Sequence, residues 1–220
     1  MRSARRRKPS SSAWLSRQLN DPYVAEARRL GYRSRSAFKL IELDDRFGLL
    51  SPGRRVVDLG CAPGGWTQVA VERVGAPSRR GIVVGVDIAE TQPIPGAAIL
   101  RADIHEPAVS AVIKAKLGDL ADVVLSDMAP STTGHAATDH LRIVALAEAA
   151  LLVAEQILKP GGAFVAKVFQ GGAEGALLER LKQVFAQLRH AKPPASRAES
   201  AETYLIARGF RRRGRDTSAI

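Results

Sequence analysis

At 220 residues and 45% hydrophobic content, the chain can bury one substantial core and leaves little room for a second domain. A formal net charge of +11 and a pI near 10.5 point to a polyanionic partner, nucleic acid first, through long-range attraction and counterion release. No apolar run approaches the roughly 20 residues that span a bilayer, and one cysteine, Cys61, with four scattered histidines excludes an internal disulfide and gives no zinc-ligand spacing; a cytoplasmic protein with no membrane partner and no metal is expected.

The charge gathers at the ends. Arg2, Arg5, Arg6, Arg7 and Lys8 open the chain, and Arg211, Arg212, Arg213 and Arg215 crowd its close. Charged, small and without apolar period, residues 1–12 are predicted to be a disordered basic tail, 210–220 a second basic tail, and 13–209 a single domain. A helix is expected over 21–30, with Asp21 as its cap, Pro22 in the first turn, and Val24, Ala25 and Leu30 on one face. Another is expected over 34–47, with Ser34 as N-cap and Phe38, Ile41, Leu43 and Phe47 turned inward. Lys39 falls among these apolar residues, a place where most lysines extend their heads to solvent.

From residue 55 the pattern alternates strand and helix, which implies an α/β fold around a parallel sheet. The apolar run Val56-Val57-Asp58-Leu59 breaks into Gly60-Cys61-Ala62-Pro63-Gly64-Gly65-Trp66, read as strand 55–59, a tight loop, and helix 64–75. Glycines without Cβ let a flat ligand lie against the loop. Ala62 stands where the second glycine of G-x-G-x-x-G would admit a pyrophosphate, and no Lys-Ser/Thr follows as in a phosphate-binding loop. A phosphate-free nucleoside is therefore favoured over a nicotinamide dinucleotide. Strand 81–87 ends in Asp87, 29 residues after Asp58, where a carboxylate accepts from ribose hydroxyls. Strand 97–102 ends at Asp103, a candidate acceptor for an adenine amine, although either aspartate can instead cap the segment after it.

The fourth strand leaves through Asp127-Met128-Ala129-Pro130, which sets a carboxylate beside the switch point of the sheet. The N/D-P-P-Y/F and Pro-Cys signatures of amine and cytosine-C5 methyl transfer are absent, and Cys61 reads as a small packed residue rather than a nucleophile. A polar, mobile loop is expected over 131–137 and a helix over 138–158; His135 and His140 receive no role. Strand 163–169 carries Lys167 in a run that is apolar on both parities, as in a strand covered on both faces. An ammonium there is costly without a carboxylate partner. A helix over 173–190, a proline-containing loop, and a last strand that begins at Glu202 and repeats its parity at Tyr204 complete the chain.

The motifs D-L-G-C-A-P-G-G-W, S-R-S-A-F-K-L, L-S-D-M-A-P, A-K-V-F-Q-G and S-A-E-T-Y-L-I-A together resemble the FtsJ/RrmJ (RlmE) family of ribosomal RNA large subunit 2′-O-ribose methyltransferases, from about residue 9 to 209. The resemblance implies a Rossmann-like class I fold dependent on S-adenosylmethionine (SAM), with a mostly parallel seven-stranded sheet and helices on both faces. It implies a catalytic tetrad at Lys39, Asp127, Lys167 and Glu202, and cofactor contacts at Gly64, Trp66, Asp87, Asp103 and Asp127. The implied reaction is methyl transfer to the 2′-hydroxyl of a uridine in 23S-type large-subunit ribosomal RNA within the ribosomal particle, by a monomer. Methylation of transfer RNA or a messenger cap uses the same tetrad, and a ribosome-assembly factor that binds RNA can share the fold. Lys167 has two open roles, general base and charged positioning group.

Overall fold

Apolar residues on successive strands alternate between two clusters, as a sheet buried on both faces requires. The computed structural model describes residues 21–78, 81–130, 133–170 and 175–212. It resolves this alternation into strands β1 (Arg55–Leu59), β2 (Ile82–Asp87), β3 (Ala97–Arg101), β4 (Ala121–Ser126), β5 (Leu158–Phe169), β6 (Phe185–Ala191) and β7 (Glu202–Phe210). Their order is β3-β2-β1-β4-β5-β7-β6. The first five run parallel, and β7 lies antiparallel between β5 and β6. The helices are α1 (Pro22–Leu30), α2 (Ser36–Phe47), α3 (Gly65–Val74), α4 (Val109–Leu117), α5 (Ala136–Ile157) and α6 (Gly175–Val184). Val57, Val84 and Phe164 pack on α4, α5 and α6 through Ile113, Leu151 and Leu181. Val56, Val83 and Val165 pack on α2 and α3 through Leu40, Leu43 and Val69. The expected Rossmann-like sheet with helices on both faces is present.

Local chemistry starts and stops these elements where it should in most places. Asp21 accepts from the Tyr23 amide at 3.1 Å at the head of α1, and Gly75, with φ 69°, ends α3. The predicted apolar face of α1 is only partly realised: Ala27 is buried, whereas Ala25 and Leu30 face solvent. Tyr23 supplies the contact instead, packing against the Phe38 ring at 5.3 Å. Ser34 does not cap α2; its hydroxyl bonds that of Ser36, and the helix begins at Ser36 after Arg35. The inner face of α2 is Ala37, Leu40 and Leu43, with Phe38, Ile41 and Phe47 half-buried at its margin. The predicted tail over 1–12 lies outside the described residues, as do 131 and 132 of the loop expected to be mobile, and 213–220.

Two predicted boundaries are overturned. The helix expected over 173–190 ends at Val184, and Phe185–Ala191 forms the edge strand β6. Ala186, Gln187, Leu188 and Arg189 are good helix formers, so local preference favours continuation. The ladder to β7, from Phe185 opposite Phe210 to Ala191 opposite Tyr204, overrides it. Phe185 holds the junction by stacking on Phe164 at 6.3 Å and meeting Phe210 at 5.4 Å. Lys159-Pro160-Gly161-Gly162, between the helix expected over 138–158 and the strand expected over 163–169, are absorbed into β5, whose register against β4 shifts between Ala121 and Val123; such irregularities are where a strand tolerates proline and glycine. The helix α4 was not anticipated; Val109, Ile113 and Leu117 bury one side of it.

Because Phe185 is 2% exposed and joins α6, β5 and β7, Phe185→Ala is expected to destabilise the folded protein by about 3–5 kcal/mol, read as a lower urea midpoint with an unchanged far-ultraviolet dichroism spectrum before unfolding.

Candidate active site

The cavity is built from strand ends. Leu59 closes β1 and Gly60 turns away with φ 77°, where a Cβ would run into Met128; Gly64, φ 121°, has no room for one against Ile94 and Arg33. Asp87 at the end of β2 fastens this loop. One carboxylate oxygen accepts from the Ala62 amide at 2.9 Å and the other from Ala89 at 2.8 Å. The result is a cavity of about 660 Å³ across the carboxyl ends of β1 to β4, at the point where strand order reverses. That is where open α/β sheets bind ligands. Asp87, Asp103 and Asp127 line it, with Ile88 and Leu146 as apolar walls.

Of the five predicted cofactor residues, the cavity thus gathers three. Gly64 and Trp66 do not line it. The Trp66 indole is 2% exposed, donates to the Ser36 carbonyl at 2.8 Å and packs 5.5 Å from the Tyr204 ring, so its side chain ties α3 to α2. Asp103 receives the His105 amide at 3.0 Å and its ring Nδ1 at 2.7 Å on a single oxygen. Those contacts hold its carboxyl below the ordinary range.

A strand's period of two explains the second group of residues. Lys167 shares parity with Val165 and Glu202 with Tyr204, so both face the side that α2 covers, and Asp127, one residue past the end of β4, stands at the edge of the sheet beside them. Lys39 descends from α2 onto them. The Lys167 ammonium donates to the Asp127 carboxylate at 2.9 Å and to the Asp127 carbonyl at 2.7 Å. Lys39 pairs with both oxygens of Glu202, at 2.6 and 2.8 Å. The Tyr204 hydroxyl donates to Asp127 at 2.8 Å and lies against Glu202, joining the two pairs. Burial, then the Asp127 and Glu202 carboxylates, push the Tyr204 phenol well above its usual range, which keeps it a neutral donor. Burial would raise the Glu202 carboxyl, but Lys39, helped by Lys167 and the Ser196 hydroxyl, holds it below the ordinary value. All four predicted tetrad residues therefore meet. Tyr204 and Ser196 enter the network without having been singled out for it.

Comparison with known proteins bears on what this arrangement is. A model of the FtsJ-like methyltransferases matches residues 32–210. The chain belongs to the FtsJ-like methyltransferase family. Proteins named ribosomal RNA large subunit methyltransferase E are similar over nearly the whole chain: that of Paramagnetospirillum magneticum is 63% identical, covering 96% of this chain and 87% of its own. That of Granulibacter bethesdensis is 58% identical, covering 97% and 91%. The crystal structure of a ribosomal RNA methyltransferase from Plasmodium falciparum superposes with a TM-score of 0.74 at 31% identity, over 83% of this chain and all of that one. The protein is accordingly an enzyme that uses a methyl donor.

Within this FtsJ-like methyltransferase, the motif residue Asp58 turns out to be a support. It is wholly buried; one oxygen accepts from the Thr67 hydroxyl at 2.6 Å on α3, and the other has no partner. Burial, opposed by Thr67 and reinforced by Asp127 and Asp87, pushes its carboxyl up to about 7. Cys61 is buried beside it, and burial pushes the thiol up to about 12, as a packed and unreactive cysteine requires. Among the described residues no group of His, Cys, Asp and Glu is placed to hold a metal, and no helix is long and apolar enough to cross a membrane.

Folding raises the Asp58 carboxyl from its ordinary 3.8 to about 7, so between those values the folded state holds more protons than the unfolded one. Stability from this group is therefore lost as pH rises through that window. Asp58→Asn is expected to flatten the decline, giving urea midpoints that change less than those of the wild type between about pH 4 and about pH 7.

Proposed function

We propose that the protein transfers the methyl group of SAM to the 2′-hydroxyl of a uridine in 23S-type large-subunit ribosomal RNA, acting on the assembled or nearly assembled large subunit as a cytoplasmic monomer. One observation carries the reading: Asp127 is shared. It lines the cavity fit for the donor, and it anchors Lys167 and Tyr204 on the side where Lys39 and Glu202 stand. Donor and hydroxyl-handling groups thus meet at one residue. The names of the relatives favour large-subunit RNA over transfer RNA or a messenger cap. The net charge of +11 supplies the general attraction that ribosomal RNA needs. The basic ends, expected over 1–12 and 210–220 around a 13–209 domain whose last strand in fact runs to Phe210, add to that attraction.

The residues fit a nucleoside-bearing donor. In this reading Asp87 takes its ribose hydroxyls, Asp103 the adenine amine with the oxygen that His105 leaves free, Gly64 and the Trp66 backbone the amino-acid end, and Asp127 the edge nearest the reaction. When bound, SAM supplies a sulfonium methyl group already activated for displacement. The chain's own task is to hold the ribose hydroxyl in line and deal with its proton. Lys167 meets that oxygen. Its two contacts with Asp127 engage two of the N–H groups on the nitrogen, leaving one position for the ribose hydroxyl, as a third N–H in the charged positioning role or as a lone pair in the general-base role. Lys39 and Glu202 grip the ribose from the α2 side.

Incubation with labelled SAM and, separately, naked 23S-type RNA, isolated large subunits and whole ribosomes tests the substrate. Label is expected on a single uridine ribose, with large subunits the best acceptor; label confined to transfer RNA or cap would overturn the assignment. Lys167→Ala is expected to lower the single-turnover rate by at least about 10²-fold, with SAM affinity unchanged by calorimetry. A loss confined to binding would remove Lys167 from the reaction.

A further inference from the structure

A lysine and a glutamate joined by both carboxylate oxygens still leave the pair free to swing about its own axis, and only a third contact fixes the carboxylate plane. Glu202 has such a contact in Ser196, whose hydroxyl donates to Oε1 at 2.7 Å. Ser196 is 6% exposed and lies between Ala191, the last residue of β6, and β7, on a connection with no regular secondary structure. Loops of this kind are ordinarily the mobile part of a fold. This one is gripped. Ala195, fully buried, gives its amide to Glu42 at 2.7 Å and takes Arg35 Nη2 on its carbonyl at 2.6 Å. Both polar groups of one buried residue are thus met by charged side chains, the stronger kind of hydrogen bond.

The gripping residues are tied down in turn. Asp21 lies 3.0 Å from Arg35 and 3.3 Å from Arg197, and the Tyr23 hydroxyl donates to Glu42 at 3.2 Å. Arg35 precedes α2 and Glu42 lies within it, so the helix that carries Lys39 also holds the loop that orients its partner. Neither Arg35 nor Glu42 lines the cavity.

We propose that Ser196 is a positioning residue for methyl transfer: held by the Arg35–Ala195–Glu42 clamp, its hydroxyl fixes Glu202, and through Glu202 the Lys39 ammonium, in the orientation the ribose hydroxyl meets. The proposal rests on the reading of Lys39 and Glu202 as part of the reacting centre. It concerns the orientation of the ion pair, whose own two contacts do not involve Ser196.

The test compares Ser196→Ala and Ser196→Thr with the wild-type enzyme. With SAM and large subunits both saturating, the alanine variant is expected to transfer methyl about tenfold more slowly, within the range that misplacement costs, with SAM affinity unchanged and the variant folded at the assay temperature, its melting temperature lowered by the lost hydrogen bond to a buried carboxylate. The threonine variant, which keeps the hydroxyl, returns most of the rate. A second measurement needs no substrate: the Glu202 carboxyl titration, followed by carbon-13 NMR. Lys39 from α2, Lys167 from β5 and Tyr204 from β7 face Glu202 and remain in every variant, so loss of the Ser196 donor alone is expected to move that titration upward in Ser196→Ala. An alanine variant at the wild-type rate, or one whose Glu202 titrates as in the wild type, overturns the proposal. A wild-type enzyme inactive on large subunits counts against the proposed function instead, and the titration then decides the role of Ser196 by itself.

Discussion

Keeping an ammonium in the middle of a doubly covered strand constrains everything around it. Lys167 is 7% exposed, and stripping water from such an ion costs several kcal/mol, on the order of the penalty known for buried pairs. Asp127 offsets this with two acceptors from a single residue, its carboxylate and its own carbonyl. A residue that turns its carbonyl to a side chain on β5 cannot also continue the β4 ladder, which stops at Ser126. The chain therefore leaves the sheet at Asp127, and Met128, Ala129 and Pro130 become the wall of the cavity. The need to satisfy one lysine thus places both the floor and the edge of the site.

The same constraint explains why the cavity and the charged network meet at that edge. The cavity extends toward α5, where Leu146 lines it, whereas Lys39, Glu202 and Tyr204 lie on the α2 side. A sheet separates its faces everywhere except along the ends of its strands. A group that touches both sides has to stand on that boundary, and Asp127, at the reversal of strand order between β1 and β4, stands there.

Much of this was legible in the chain because it followed from local pattern. Lys167 is legible as a charge in a run apolar on both parities, and Asp87 and Asp103 as carboxylates that close successive strands. Tyr204 followed Glu202 by the period of a strand. The failures have a common physical cause, contacts distant in sequence that outweigh local preference. The residues of β6 are helix formers made extended by β7, and Trp66, in the glycine motif, turns its indole into the core because Ser36 offers a carbonyl there. Ser196 left no trace, since what fixes it are Arg35 and Glu42, separated from Ala195 by 160 and 153 residues.

The four charged residues also have to be considered as a set. Two ammonium groups and two carboxylates sum to zero, and Tyr204, kept neutral by its surroundings, joins the pairs without adding charge. A neutral buried set can exclude water without leaving an ion uncompensated, and in the proposed reaction a ribose hydroxyl, itself neutral, would enter without upsetting the balance. Removing one member has the opposite effect, because the survivor is left as an unpaired buried charge, a loss of about 3–5 kcal/mol where such pairs have been broken. Substitutions within the set therefore cost stability as well as whatever they cost the proposed reaction. The groups that orient the set without belonging to its charge balance, such as the hydroxyl of Ser196, are the ones through which geometry alone can be varied.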